Sequence, residues 1–201
     1  MEIKVIAGDI TQVEVDAIIV NLFEGAEQLG GATAAVDRAL DGAISNLLGK
    51  GEIGGKFGEV SIIHTWGKLP TRIVAIAGLG KRQDFNLDKV RGVAGGSCRS
   101  LRKLNCRKIA TILHGVGIGG IEPEASAEAI VEGGLLGLYN FNRYKEPEHK
   151  EVEEMLIVER EGSKVPALER GIHKGRVMAE ATILARDMVN EPANYMTPSR
   201  M

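Results

Sequence analysis

The sequence predicts an α/β fold: a mixed, mostly parallel sheet of about six strands flanked by helices, with a long connecting helix at the C-terminal end. Short runs rich in Ile and Val alternate with helical patterns from residue 3 to residue 158, the signature of a layered α/β domain with helices on both faces of its sheet. Near-continuous apolar runs such as AIIV and RIVAIAG point the same way, because strands covered on both faces lose the polar half of the usual alternation. Beyond residue 158 the polar stretch EREGSK precedes a second kind of segment, a helical pattern longer than any before it.

The strands are expected at Ile3–Ile6, Ala17–Leu22, Val60–Trp66, Arg72–Ala77, Lys108–Leu113 and Met155–Val158, each bounded by Gly, Pro or charge. One helix is expected over Ala32–Leu48, with Val36, Leu40, Ala43 and Leu47 at helical spacing. A second covers Leu87–Leu104 behind an Asn86 cap, and its apolar stripe holds Val90, Ala94, Cys98 and Leu101. A third starts at Pro123, the residue best suited to a first helical turn, and carries Ala129, Ile130 and Leu138. The fourth runs Pro166–Asn190, with Ile172, Gly175, Ala179 and Ile183 along one side, and is expected to stand apart from the sheet as a connector. This divides the chain into an amino-terminal domain, 1–162, and a connecting segment, 163–201.

Length and charge restrict the function. A chain of 201 residues fits one domain plus an extension. With 25 Lys and Arg against 27 Asp and Glu, no net field draws it to nucleic acid or an anionic membrane. No run approaches the ~18 apolar residues of a membrane span, and Cys98 and Cys106 form no CxxC pair, so a soluble cytoplasmic protein with reduced thiols is expected. The 26 glycines, nearly twice the usual ~7%, follow no period and belong to turns and close contacts.

Catalytic signatures are missing from the chain. His64, His114, His149 and His173 form no HExxH and no pair at helical spacing, and there is no GxSxG, no lysine phosphate loop and no GxGxxG after the first strand. Cys98 lies on the apolar side of its helix and reads as a small buried hydrophobe. The stretch HGVGIGGIEPEA leaves a strand and opens a helix, so its amides could cradle a phosphate, but the spacing favours a tight crossover whose glycines adopt positive φ; Glu122 and Glu124 would oppose an anion there. The basic run Arg99, Arg102, Lys103, Arg107 and Lys108 reads as a solvated helix end, and with 4% aromatic residues little is left for base stacking.

Two long stretches carry a resemblance. VEGGLLGLYNFNRYKEPE is similar to the pattern EGxxLGxYxFxxYK of the leucyl aminopeptidase family, also called cytosol aminopeptidases, from Glu132 to Lys145. ARDMVNEPANYMTP resembles that family's ARDLVNEPxNxxTP, from Ala185 to Pro198, with Met188 where leucine is usual. The resemblance implies a non-catalytic amino-terminal domain with its connecting helix, followed in the parent protein by a catalytic domain. That parent would remove amino-terminal residues from peptides with two divalent metal ions, zinc or manganese, and assemble as a hexamer. The family's metal motifs, VGKGxxxDxGG and NTDAEGR, do not occur in these residues, so no metal and no catalytic residue is expected in this chain.

A second resemblance lies at the front, where GDITQVEVDAIIVNLFEG is similar to the GDIT and VDAIVNAAN pattern of macro domains, which bind ADP-ribose. It implies a macro-like fold and, as an alternative function, a nucleotide-binding module. In that alternative Asp9 falls on the aspartate that contacts adenine, Asn21 on the first asparagine of NAAN, and Gly115, Gly117 and Gly119 supply the phosphate turn. The second asparagine has no counterpart and the glycine run shrinks to Gly30 and Gly31, so ADP-ribose is expected not to bind below about millimolar, where ~4 kcal/mol is available.

Overall fold

A computed structural model of the chain describes residues 1–117, 120–146 and 149–197. Among them are six strands, β1 (Glu2–Ala7), β2 (Ala17–Phe23), β3 (Val60–His64), β4 (Ile73–Gly80), β5 (Lys108–Thr111) and β6 (Glu154–Glu159). They form one sheet in the order β1-β6-β5-β2-β4-β3, parallel at every pairing except β3 with β4. The helices are α1 (Gly31–Ala39), α2 (Ala43–Gly49), α3 (Leu87–Lys103), α4 (Pro123–Leu138) and α5 (Val165–Asn190).

The period-2 geometry of a strand divides each buried run between two cores. Ala17 and Ile19 of β2 join Ile73, Ala75 and Ala77 of β4 under Val90 and Ala94 of α3 and Ile130 of α4. Ile18, Val20 and Leu22 turn the other way, with Val74 and Ile76, towards Val36, Leu40 and Ile44. Apolar residues at both parities are thus the requirement of a sheet covered on both sides.

The helix expected over Ala32–Leu48 is two helices. Asp41 (φ 54°) and Gly42 (φ 81°) are left-handed, which stops α1, and the buried Asp37 carboxylate then accepts from the amides of Ile44 (2.8 Å) and Ser45 (3.0 Å). A carboxylate on the first free amides of a helix satisfies donors that have no intrahelical partner. The Asp-Gly pair marked the break, and the continued apolar spacing concealed it. β3 also ends before Trp66, which sits at φ 46°. By contrast α3 begins as expected, the Asn86 side chain accepting from the Lys89 amide at 3.1 Å.

The first half of α5 does not stand apart. Leu168, Gly171, Ile172, Gly175 and Ala179 are buried, and the helix lies along α4 and reaches β1. A β-carbon at Gly175 would come within 2.5 Å of the Glu128 carbonyl of α4 and 3.0 Å of Val131 Cβ, and one at Gly171 would collide with the Glu124 carbonyl. Arg170 (2.9 Å) and Lys174 (2.5 Å) both reach the Glu124 carboxylate, anchoring the same seam from its exposed side. Past Ala179 no residue of the helix is fully buried, though Ile183, Asp187 and Met188 stay half-buried.

Gly175→Ala is expected to lower stability by about 1–3 kcal/mol, because the backbone of α4 offers no room to yield. Urea unfolding of the two proteins measures it; an unchanged midpoint would mean that α5 is not seated through this glycine.

Candidate functional site

In an open parallel sheet, the crevice forms at the carboxyl ends of the strands, where successive connections leave towards opposite faces. Here that point lies between β2, whose chain continues into α1, and β5, whose chain continues into α4. A cleft of about 610 Å³ opens there, lined by Gly8 and Ile10 after β1, residues 21–26 at the end of β2, residues 30–33 at the start of α1, Leu113, Gly115 and Val116 after β5, and residues 158–161 at the end of β6. Arg82 and Lys164 complete its rim.

Its floor is tied together by a buried histidine. The Asn21 amide group donates to the Leu113 carbonyl (3.3 Å) and lies 3.1 Å from His114 Nδ1, so Nδ1 accepts and the ring proton sits on Nε2, 3.4 Å from the Thr111 hydroxyl. Ser126 of α4 closes the loop, accepting from the His114 amide at 3.1 Å and donating to its carbonyl at 2.9 Å. Burial pushes the His114 pKa down to about 4, so the ring is neutral in the physiological range. It joins two strands and a helix, as a satisfied structural histidine does.

Of the five residues expected in a nucleotide site, Asn21 and Gly115 line the cleft and Asp9 flanks its mouth. Gly117 has the positive φ expected of the turn (78°) but lies away from the lining, and Gly119 is outside the described residues. Gly115 is required twice over, by its φ of 78° and because a β-carbon there would run into the Phe85 ring.

Asp9 is already committed. It accepts from the Thr11 amide (3.0 Å) and hydroxyl (2.8 Å), and its second oxygen takes the Arg160 guanidinium from across the cleft mouth. Partial burial opposes its ionisation, yet the Thr11 bonds and Arg160 outweigh this and hold the carboxyl below the usual carboxylate range. Arg160 went unnoticed in the sequence, since nothing local to it points to a partner at residue 9.

Glu124 and the basic run are placed by their partners. Glu124, expected to repel an anion at the glycine turn, faces away and is neutralised by Lys174 and Arg170. Three residues of the basic run have internal partners: Arg102 donates to the Leu138 carbonyl at 2.8 Å, while the exposed Arg107 pairs with Glu153 and Lys108 lies 3.6 Å from Glu154. Cys98 is fully buried, its thiol pushed up to about 12. Among the described residues, no three His, Cys, Asp or Glu side chains gather in a way that would hold a metal ion.

The profile of the cytosol aminopeptidase family, N-terminal domain, matches residues 19–148. A probable cytosol aminopeptidase of Alkaliphilus metalliredigens is 36% identical over 205 aligned positions, covering 100% of this chain and 41% of the relative. The chain belongs to the cytosol aminopeptidase family. It spans about 41% of the length of that curated relative. Two solved structures show the shared fold of this cytosol aminopeptidase domain: a tomato leucine aminopeptidase mutant (22% identity, 99% of this chain and 40% of that one, TM-score 0.82) and a Trypanosoma brucei macrodomain in complex with ADP (16% identity, 85% and 69%, TM-score 0.66). Both expected resemblances, to the aminopeptidases and to macro domains, are therefore correct at the level of fold.

The buried imidazole gives the domain a defined acid sensitivity. A histidine with a folded-state pKa below its unfolded one binds its proton more readily in the unfolded chain. Stability is therefore lost as pH falls from about 6.5 towards about 4, and is fully present above that window. At ~1.4 kcal/mol for each pH unit, the loss amounts to about 3 kcal/mol. His114→Gln keeps a side-chain donor without the titration, so its urea midpoint should fall less steeply between pH 6.5 and 4 than that of the parent. Equal slopes would contradict the buried neutral ring.

Proposed function

We propose that this chain serves as the non-catalytic amino-terminal domain of an aminopeptidase, in which residues 1–162 form the macro-like body and 163–201 lead into a catalytic domain. That domain would carry two divalent metal ions, zinc or manganese, and remove amino-terminal residues from peptides in the cytoplasm, within a hexamer. The described residues of this chain do not fit such a centre, since no set of ligands converges. No helix among them is long and apolar enough to cross a membrane.

The observation that carries this reading is the outer side of α5. Val177 (52% exposed) and Leu184 (62%) lie opposite the stripe that packs on α4, Met178 (58%) flanks it, and Val189 (84%) lies beyond it. A helix apolar on two sides, with one side covered, presents its second surface to another folded unit.

The cleft favours a second reading, a nucleotide-binding module acting through Asp9, Asn21, Gly115, Gly117 and Gly119, because about 610 Å³ lies within the usual range for small-molecule sites. Against it stand the internal partners of Asp9 and Asn21, which a ligand would have to displace.

Two measurements test the choice. The purified chain is expected to show no chelator-sensitive hydrolysis of leucyl p-nitroanilide with added Mn²⁺ or Zn²⁺; metal-dependent turnover in pure material would end the non-catalytic reading. Calorimetric titration with ADP-ribose is expected to give no binding below about millimolar. A micromolar isotherm, about −8 kcal/mol, lost in Asp9→Ala, would establish the ligand-binding module instead.

A further inference from the structure

The two stretches that carry the family resemblance, Glu132–Lys145 and Ala185–Pro198, are remote in sequence, and residues 139–144 of the first meet residues 187–191 of the second in space. The first begins on α4, where the Glu132 carboxylate pairs with Arg91 of α3 and the glycines at 133 and 137 let α3 approach; a β-carbon at Gly137 would come within 2.5 Å of Gly95 Cα. Arg102 donates to the Leu138 carbonyl and finishes the helix. The end of α4 is thereby fixed to the body.

From that fixed point the chain grips the end of α5. Tyr139 donates to Asp187 Oδ1 at 2.8 Å and accepts from Asn190 at 3.1 Å. Beyond the helix, Glu191 receives Arg143 on one oxygen (2.6 Å) and the Tyr144 hydroxyl on the other (2.5 Å). The Glu191 side chain is 4% exposed although Arg143 is 65% exposed, so the carboxylate is the buried member of the group. No residue from 180 to 190 of α5 is fully buried, only Ile183, Asp187 and Met188 being half-buried, and a helix end with little packing frays. A buried carboxylate is costly once its partners are lost, which makes its position strongly determined.

We infer that Arg143, Tyr144 and Glu191 form a joint that fixes the direction in which the chain leaves α5. All three residues of the joint belong to this chain; its use, to hold a following domain at a set angle, rests on the connector reading above. The two resembling stretches are in this view the two halves of one device.

Hydrogen exchange followed by mass spectrometry on the 201-residue chain tests it, independently of whether a catalytic domain follows. Glu191→Gln and Tyr144→Phe are expected to speed exchange across residues 183–196 roughly tenfold or more, since bonds to a charged group are among the stronger ones, while β2, α3 and α4 keep their protection. Arg143→Ala should do the same and Arg143→Lys, which keeps the charge, should recover most of the loss. Unchanged exchange at 183–196 in both Glu191→Gln and Tyr144→Phe would overturn the inference. So would a loss spread evenly over the domain, which would make Glu191 part of the general core.

Discussion

The buried network of Asn21, His114 and Ser126 is the constraint on which the rest of the domain depends. β2 and β5 are neighbours whose connections depart to opposite faces, so the sheet is most open where they part. Asn21 holds the chain leaving β5 against the end of β2, and Ser126 holds that same chain against α4. The position of α4 then decides the position of α5, because Gly171 and Gly175 seat α5 against the α4 backbone. It also decides where the loop after α4 begins, and so where Tyr139, Arg143 and Tyr144 stand. One neutral imidazole with each ring nitrogen in hydrogen-bonding reach of a partner lies under both the cleft and the connector, and a buried polar network of this kind specifies a unique arrangement only when every member is paired.

The cleft has the place and volume of a ligand site, and two of the charges at its mouth are satisfied from within. Asp9 is held by Thr11 and Arg160, and Lys164 by Glu161. A ligand entering there exchanges existing bonds for new ones and gains only the difference. This is how one fold can serve as a nucleotide site in one protein and as a body for assembly in another: function lies in the side chains that the fold presents.

α5 joins these two aspects. Its first half is part of the domain core through Leu168 and Ile172, and its second half carries exposed Leu184 and Val189 away from it. Ala179 is the last fully buried residue of α5, and the loop after α4 reaches past it to hold Asp187 and Glu191. At the far end of the helix side-chain bonds therefore add to packing that has thinned.

The sequence by itself determined the fold class, all six strands, the Asn86 cap, the helix start at Pro123, and the family, because each rests on local periodicity, local helix-start chemistry or a contiguous motif. It concealed the break at Asp41–Gly42, where apolar spacing continues across a change of direction set by two φ angles. It also concealed the burial of the first half of α5, since Gly171 and Gly175 read as weak helix residues until α4 lies against them. In the cleft, Asp9, Asn21 and Gly115 were legible through a resemblance, but Arg160 was not, nor was the turning of Glu124 towards α5. Those pairings join residues far apart in the chain, and only the tertiary structure brings such charges within bonding distance; that same long-range proximity made one joint of two motifs that the sequence presents separately.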